Sequence, residues 1–440
     1  MSNNEKPVES APSTKPGEKR FEDFSVMPVP VEKRKSFISV AFPWGGLTLS
    51  VTAFLVGTIL GGGLALSDGI LAVIVGNYVL GIYALGLAIL GQRKGLTMAL
   101  LARRTFGMYG QILPSAVFAF VNVGFPGTYL ALFGLLLASI FPGLSPYIGG
   151  LIFIVLAFIL AALGIKGLSW LGYVAIPAIL LLAIYGVSIV VGNLGGWDKF
   201  LSARPAGTLA LGLGISTVIS TWITGATTSA DLGRFAKSAK SAAGAALFAF
   251  SCTALLEGLA FMLALGAGTG DLVVLLRNLG LVAPAIIIYF LLMWSSADVL
   301  IYMFSLAFTN IENAITKKVK VGRFWWTTIG SAYAYGVGVI ILSMGLMAGF
   351  RAWLSMLAQL IPPIGGIVLV DYYLFKGLKE DPLNIVSTKR RVNISAIIAW
   401  IMGVVSGWYP VLPVPILQNL LVAAAAYIVL EGVSKGKLQL

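Results

Sequence analysis

One apolar stretch of the chain changes character between Ile215 and Lys240, where it reads ISTVISTWITGATTSADLGRFAKSAK. Serine, threonine and glycine replace apolar residues there, a single tryptophan, Trp222, stands among them, and the stretch ends in a basic loop. Each polar group on a lipid-facing helix costs free energy unless it is satisfied, so the pattern does not suit such a helix. It suits a helix that unwinds around a small-molecule site and offers the ligand its hydroxyls, backbone groups and tryptophan.

The side chains nearest to this break suit a flat ligand. Trp222 and Phe125 can sandwich a planar ring, because π systems prefer stacked partners, although Phe125 also fits a packed core. Thr224, Gly225 and Asp298 can meet the edge of the ring through hydrogen bonds. Lysine and arginine avoid the centres of the apolar spans, so no fixed cation would bind a phosphate or carboxylate. We therefore expect a neutral, planar, polar heterocycle.

Two carboxylates, Glu257 and Asp298, lie near the middle of apolar spans. An acid at the centre of a membrane helix costs about 3 kcal/mol, so each should face the interior and is a candidate functional group. Around Asp298 the polar residues recur at helical spacing and draw one stripe down the eighth span: Ser295, Asp298, Tyr302, Ser305 and Thr309. A structural polar seam is the alternative to a ligand path.

Adjacent hydroxyls at Ser295 and Ser296 are hard oxygen donors, suited to a small hard cation. Together with carbonyls from a break in the first span, they predict a Na+ site that needs no carboxylate. The chain has no histidine and one cysteine, which argues against soft or redox metals, and no cofactor is expected. Without histidine, coupling to H+ would have to use Glu257 or Asp298.

The composition defines the elements that must position these groups. The 440 residues are 58% hydrophobic and 11% charged, and their mean hydropathy is +0.94. A soluble protein of this size could not bury so much apolar surface, so we predict an all-α polytopic membrane protein with twelve spans. No cleavable signal is evident, and the single Cys252 allows no disulfide.

The first and sixth spans share the same peculiarity, an apolar run interrupted by small and hydroxyl residues. Because they are five spans apart, the pattern predicts a five-plus-five inverted repeat in which helices 1 and 6 are broken, followed by two further helices. The predicted units are a disordered tail (residues 1–36), the two repeats (37–195 and 205–376), helices 11 and 12 (392–432) and a C-terminal segment (433–440).

The net charge of +13 follows the predicted topology. Of the 30 lysines and arginines, 26 lie in the two termini and in the connections predicted on the same side of the membrane as the termini. The four on the other side are Lys199, Arg204, Arg277 and Arg351. Cytoplasmic loops retain positive charge, so we expect both termini in the cytoplasm and the chain in the cell membrane. The basic excess therefore does not indicate nucleic-acid binding. We expect the lipid bilayer and a small molecule as partners, and a monomer.

Four motifs carry a family resemblance: TSADLGRFAKSAK after the sixth span, WSSADVLIYMFSLAFTNI in the eighth, IPPIGGIVLVDYY in the tenth and GNYVLGIYALGLAILGQRKGLTMALLARRTFG after the first. Over essentially the whole transmembrane region the chain resembles the cytosine permeases of nucleobase–cation symport family 1. The resemblance implies the twelve-helix inverted-repeat fold and symport of a nucleobase or related ring with Na+ or H+.

The resemblance also implies site residues. The aromatic sandwich falls on Phe125 and Trp222, and the base-edge contacts fall near Thr224, Ala297 and Asp298. The implied Na+ ligands are Ala53, Val56, Gly57, Ser295 and Ser296. Two positions depart from the family pattern, because cytosine permeases tend to have Trp where Phe125 stands and Asn where Ala297 stands. Loss of the amide removes a donor and an acceptor, so purines, hydroxymethylpyrimidine, thiamine-pathway rings and hydantoin-like compounds stay open beside cytosine.

The sequence thus predicts a secondary active symporter that imports such a heterocycle with Na+ by alternating access. The alternatives are H+-coupled import through Glu257 or Asp298 and a non-transporting sensor with the same fold. A channel would need rings of like charge, and a membrane-embedded enzyme would need a nucleophile–base set or metal ligands; the sequence indicates neither, so an enzyme is not expected.

Overall fold

The computed structural model describes residues 27–163, 169–316, 321–388 and 390–434. Within these ranges the chain is helical and has no strand; one isolated β-bridge pairs Lys35 with Ala236. In the first half the helices are α1 Phe37–Thr48, α2 Val51–Gly63, α3 Leu66–Lys94, α4 Met98–Phe106, α5 Ile112–Ile140, α6 Pro146–Leu163, α7 Ser169–Leu194 and α8 Trp197–Leu201. In the second half they are α9 Leu211–Thr227, α10 Ala230–Gly233, α11 Ala239–Ala267, α12 Leu272–Asn278, α13 Val282–Thr316, α14 Gly322–Met344, α15 Leu346–Leu360, α16 Pro362–Tyr373, α17 Pro382–Val386, α18 Ile394–Ser406 and α19 Pro415–Ser434.

Many of these helices are long and apolar enough to cross a membrane. Eight stretches of the described chain pass that test by length and composition, with α15 and α16 counted as one, and the bent pair α1 and α2 is a ninth candidate. Three shorter apolar helices, α6, α9 and α18, lie among them. The all-helical polytopic class is confirmed, whereas the count of twelve spans stays a prediction.

Both predicted breaks are present. α1 and α2 meet at a bend of 53° at Leu49 and Ser50, and α9 contains Trp222 with φ −120° and ψ 15°. The first break lies about one helical turn before the predicted position. The Ser50 side chain accepts a hydrogen bond from the Ala53 N–H at 3.3 Å, so α2 begins at the hydroxyl residue and winds regularly from there.

The packing of the helices has the symmetry expected of two equivalent halves. α2 packs against α11 and α9 packs against α3, so each broken helix lies on the second helix of the other half. The third helices of the two halves, α5 and α13, contact each other. α6 contacts α13, and its counterpart α14 contacts α5. Likewise α7 contacts α13, and its counterpart α15 contacts α5. This exchange of partners supports the inverted repeat. The boundaries of the predicted units stay predictions.

Part of the predicted tail is ordered, because its backbone finds partners. The Val29 N–H donates to the Gly95 carbonyl at 2.9 Å, and the Lys35 N–H donates to the Phe235 carbonyl at 2.6 Å. The Lys35 carbonyl in turn accepts from the Lys237 N–H at 3.0 Å. The last residues before α1 therefore lie against the ends of α3 and α10, whereas residues 1–26 and 435–440 lie outside the described residues.

Charged side chains gather where α4 meets the end of α16 and the start of α18; we call Arg104, Asp371, Glu380, Arg390 and Glu431 the Arg104 cluster. Arg104 pairs with the buried Asp371 and with Glu380 at 2.7 Å, and Arg390 pairs with Glu431 at 3.1 Å. Burial alone would lower the pKa of the Arg104 guanidinium, but its two carboxylate partners raise the pKa above its ordinary value.

Neutral groups complete the surroundings of Asp371. Thr105 donates its hydroxyl to Asp371 Oδ2 at 2.8 Å, and Tyr427 donates to Oδ1 at 3.1 Å. Four connected parts of the chain, α4, α16, the segment before α18 and α19, thus meet at one set of paired charges.

Candidate functional site

The break in α9 lies among the polar residues that the sequence predicts there. A side chain at Gly225 would collide with the ring of Trp222, so the indole lies directly over this glycine. Trp222 has non-helical torsions because the helix bends at this residue. The structure thus brings together two of the predicted substrate-binding residues, Trp222 and Gly225.

Most hydroxyls of α9 are satisfied by their own helix. Those of Ser220 and Thr227 donate to carbonyls one turn earlier, at 2.6 and 2.7 Å. Three buried polar atoms of this helix have no partner among the described residues: Ser216 Oγ, Trp222 Nε1 and Thr224 Oγ1. Because buried polar groups nearly always find a partner, these three groups of α9 are the ones best prepared for a ligand, and Trp222 and Thr224 are the two nearest to the break.

Phe125 lies on α5 and is 8% exposed, beside Pro126. One turn further along α5, the buried Tyr129 side chain lies near Thr52, at the start of α2. Phe125 is therefore held near the first break. Among the described ring contacts, Phe125 and Trp222 do not touch each other, so the predicted sandwich stays a prediction.

The predicted cation ligands divide into two groups. Ala53, Val56 and Gly57 lie inside the regular part of α2, after the break, and Gly57 lies against the backbone carbonyl of Glu257. The structure does not place these three residues in unwound chain, because Ser50 caps the helix ahead of them.

On α13, the Ser296 hydroxyl donates to the Leu292 carbonyl at 2.9 Å, which leaves its oxygen free to accept or to bind a cation. α13 packs against α2, where the rings of Tyr289 and Phe54 lie edge to face at 5.8 Å. Ser296 and the break therefore belong to neighbouring helices, and a hydroxyl–carbonyl set suits Na+. The side chain of Ser295 lies outside the described residues.

The residues after Ser296 face the interior of the molecule. Ala297 is fully buried, and Asp298 is 9% exposed. Asp298 Oδ1 accepts the N–H of Val299 at 2.7 Å, so this carboxylate turns back on its own helix. Further along the predicted stripe, Ser305 and Thr309 donate to carbonyls of α13 at 2.7 Å each. These two hydroxyls are satisfied within the helix, as a structural seam requires.

Glu257 is fully buried and meets a partner that the sequence analysis did not single out. The Asn77 amide on α3 donates to Glu257 Oε2 at 2.6 Å and to the Val73 carbonyl at 3.0 Å. The remaining oxygens, Glu257 Oε1 and Asn77 Oδ1, both lack partners among the described residues. The signal for Asn77 was available: an amide inside a long apolar span.

Trp353 on α15 is a second residue that the sequence analysis missed. A side chain at Gly124 would collide with its indole, so Trp353 lies over Gly124, beside Phe125. Trp353 is 7% exposed, and its Nε1 has no partner among the described residues. α15 also packs against α9, the helix of Trp222. We call Phe125, Trp222, Thr224 and Trp353 the aromatic site.

Comparison with known proteins assigns this arrangement to a family. Residues 28–429 match the family described as "Permease for cytosine/purines, uracil, thiamine, allantoin". The chain belongs to this family. As a cytosine/purine permease family member it is a multi-pass membrane permease, and the family is one of transporters rather than enzymes.

Individual relatives agree with this assignment. The chain is 32% identical over 428 residues to the cytosine permease of Escherichia coli K12, a match that covers 94% of this chain and 96% of the relative. Its fold is similar to that of Mhp1, a nucleobase-cation-symport-1 family transporter solved in a closed conformation with bromovinylhydantoin bound. That match has a TM-score of 0.73 at 16% identity and covers 93% of this chain and 95% of Mhp1. An inward-facing Mhp1 structure gives a TM-score of 0.76 at 16% identity and covers 93% of both chains. The resemblance predicted from the four motifs is confirmed.

Proposed function

We propose that this permease imports a neutral planar heterocycle, cytosine or a related pyrimidine or purine such as hydroxymethylpyrimidine, together with Na+. The observation that carries the proposal is Trp222: it breaks α9, covers Gly225 and keeps a buried indole N–H without a partner. In a family of permeases for such rings, an aromatic plate with an unused donor at a helix break suits a stacked, hydrogen-bonding ligand.

The proposed pocket combines two aromatic rings with two polar side chains. Trp222 stacks on one face of the ring, and Phe125 supports the other. Thr224 offers a hydroxyl that is buried and unpartnered, and Asp298 can rotate from its own helix to an amino group of the ring. Ala297 supplies no polar group where an amide would stand, which favours a ring with fewer polar edges than cytosine.

The cation is proposed to bind between the first break and α13. The bend at Leu49 offers a backbone carbonyl oxygen, and Ser296 offers a hydroxyl oxygen. The Ser50 carbonyl, which already accepts the Phe54 N–H at 3.2 Å, can add only its second lone pair. This assignment moves the backbone ligands about one turn ahead of Ala53, Val56 and Gly57. A cation there would fix the geometry between α2 and α13 and so favour substrate binding, which is the basis of coupling.

Uptake into proteoliposomes tests the proposal. Labelled cytosine, adenine and hydroxymethylpyrimidine are offered with an inward Na+ gradient, with a pH gradient and with neither. Saturable uptake driven by Na+ is expected. Absence of both binding and uptake for every ring would overturn the substrate class, and saturable binding without uptake would indicate a sensor.

One observation favours H+ as the coupling ion in place of Na+. A proton on Glu257 Oε1 would turn this unpartnered acceptor into a donor, and Asn77, whose amide already bonds Oε2, has an unpartnered acceptor in Oδ1. A buried carboxylate without an opposite charge beside it costs free energy, and this cost also favours the protonated form of Glu257. If H+ is the coupling ion, uptake follows the pH gradient in the wild type, and Glu257→Gln removes that dependence while facilitated exchange remains.

We further propose that both termini are cytoplasmic, because the lysines and arginines concentrate on the connections that share their side. Reaction of single introduced cysteines with an impermeant maleimide in intact cells, in a Cys252→Ala background, tests this orientation. A cysteine in the connection that holds Lys199 and Arg204 should react from outside, and one at residue 437 should not.

A further inference from the structure

Trp353 carries an inference beyond the stacking pair. Its indole lies over Gly124 at the middle of α5, one residue from Phe125. Its helix α15 packs against α5 and also against α9, the helix that bends at Trp222. Trp353 therefore stands where the two helices that present the aromatic rings are joined by a third.

The indole N–H of Trp353 is unsatisfied. The side chain is 7% exposed, and Nε1 is buried without an acceptor among the described residues. A buried tryptophan usually finds a partner for this group, as Trp400 does by donating to the Leu360 carbonyl at 3.0 Å. An indole only donates, so the missing partner is an acceptor.

We propose that Trp353 is a specificity-determining residue that donates its Nε1 proton to an exocyclic oxo group of the transported ring. The inference rests on the proposed function, because it requires a heterocycle in the aromatic site. A carbonyl oxygen is the strongest neutral acceptor that nucleobase-type rings offer, and the three atoms nearest to a Cβ built at Gly124 all belong to the indole of Trp353. Rings that carry an oxo group are thereby preferred over rings that lack one.

The close contact with Gly124 positions the donor. Since no Cβ separates the α5 backbone from the indole, the ring packs directly against the helix, which restricts its movement. A rigid donor that is already desolvated can discriminate between ligands strongly, because a ligand without the matching acceptor leaves the N–H buried and unpaired.

The test is a cycle that combines one substitution with one atom change in the ligand. Binding of cytosine and of 2-thiocytosine, whose sulfur is a weaker acceptor, is measured on purified wild type and on Trp353→Phe. The wild type is expected to prefer cytosine about tenfold, and Trp353→Phe is expected to bind both rings with equal, weaker affinity.

The controls separate this inference from the proposed function. Trp400→Phe removes an indole whose donor is already satisfied by the protein, and should keep the wild-type preference for cytosine. If Trp353→Phe does not fold, Trp353→Met, which fills the space without an N–H, enters the same cycle.

Each outcome decides one of the two claims. If the folded Trp353 variant keeps the tenfold preference for cytosine, the inference is overturned and the proposed function stands. This holds even if the variant binds both rings more weakly than the wild type does. Binding of adenine or hydroxymethylpyrimidine, which lack an oxo group, but not of cytosine overturns the inference. Failure of the wild type to bind any ring of the panel overturns the proposed function itself.

Discussion

The Arg104 cluster and the aromatic site both bury polar side chains among apolar helices, but they satisfy them differently. In the cluster every charged side chain faces an opposite charge, as Arg104 faces Asp371 and Arg390 faces Glu431. In the aromatic site, Trp222, Thr224 and Trp353 keep polar atoms without partners among the described residues.

The difference indicates two purposes. A network in which every charge is paired within the protein needs no counter-ion from outside, although Arg390 Nε has no partner among the described residues, and its contribution is to hold chain segments together. Polar atoms that the protein leaves unsatisfied are stable only if a ligand or water completes them, so they indicate a binding site. Substitutions should therefore damage folding in the first region and ligand affinity in the second.

The largest expected effect is on stability. Asp371→Ala leaves Arg104 with a buried, partly uncompensated charge, and we expect the free energy of unfolding to fall by about 3–5 kcal/mol. Thermal unfolding in detergent measures the loss. Glu380→Ala is the matched control, because that carboxylate is 35% exposed and should contribute about 1 kcal/mol or less. Equal losses in the two variants would contradict the account of the cluster.

Trp222→Ala should act on affinity instead. Loss of a stacked ring costs 1–3 kcal/mol, so we expect binding of the preferred heterocycle to weaken by up to about a hundredfold with unfolding little changed. Isothermal titration gives the affinity and the same thermal assay gives the stability. Trp197→Ala, which changes a 54% exposed indole on α8, should alter neither. Near-normal affinity in Trp222→Ala would remove this residue from the pocket.

Ser296→Ala tests the cation side of the site. Removing one hydroxyl ligand should raise the Na+ concentration for half-maximal uptake about tenfold, without a comparable change in substrate affinity at saturating Na+. Ser343→Ala, at an exposed hydroxyl that donates to the Ile340 carbonyl at 2.8 Å, is the control. An unaltered Na+ dependence would place the cation elsewhere.

The smallest effect is expected at Ser305. Its hydroxyl donates to the Tyr302 carbonyl of its own helix, so Ser305→Ala should change ring affinity and Na+ dependence by less than about twofold. A larger change in uptake kinetics would show that the polar stripe of α13 reaches the transport path after all.

Local pattern was enough to predict much of this architecture. The cluster of small and hydroxyl residues around Trp222 predicted the break in α9, because those residues weaken a helix and tolerate exposed backbone. The same reasoning found a break in the first span but placed it about one turn too late, at Ala53 to Gly57, since small and hydroxyl residues run on from Thr48 to Gly63. The capping hydroxyl of Ser50 decides where α2 begins, and the glycines serve close packing against α11.

Long-range partners could not be predicted in this way. Asn77 and Glu257 are 180 positions apart, and nothing near either residue shows that one faces the other. Trp353 reaches Gly124 only because three helices converge, and a single sequence does not contain that geometry. Composition likewise cannot show that Ser305 donates to its own helix while Thr224 does not.

The glycines of α2 have a consequence for movement. At Gly57 and Gly61 the helix rests on the backbone of α11 with no side chain between them. Two helices in such direct contact cannot slide past each other without steric clashes, so we expect α2 and α11 to move as one rigid body. We therefore expect any rearrangement during transport to occur between α2 and its other neighbours, such as α13. Spin-label distances between α2 and α11 should stay constant as Na+ and substrate are added, while those between α2 and α13 change.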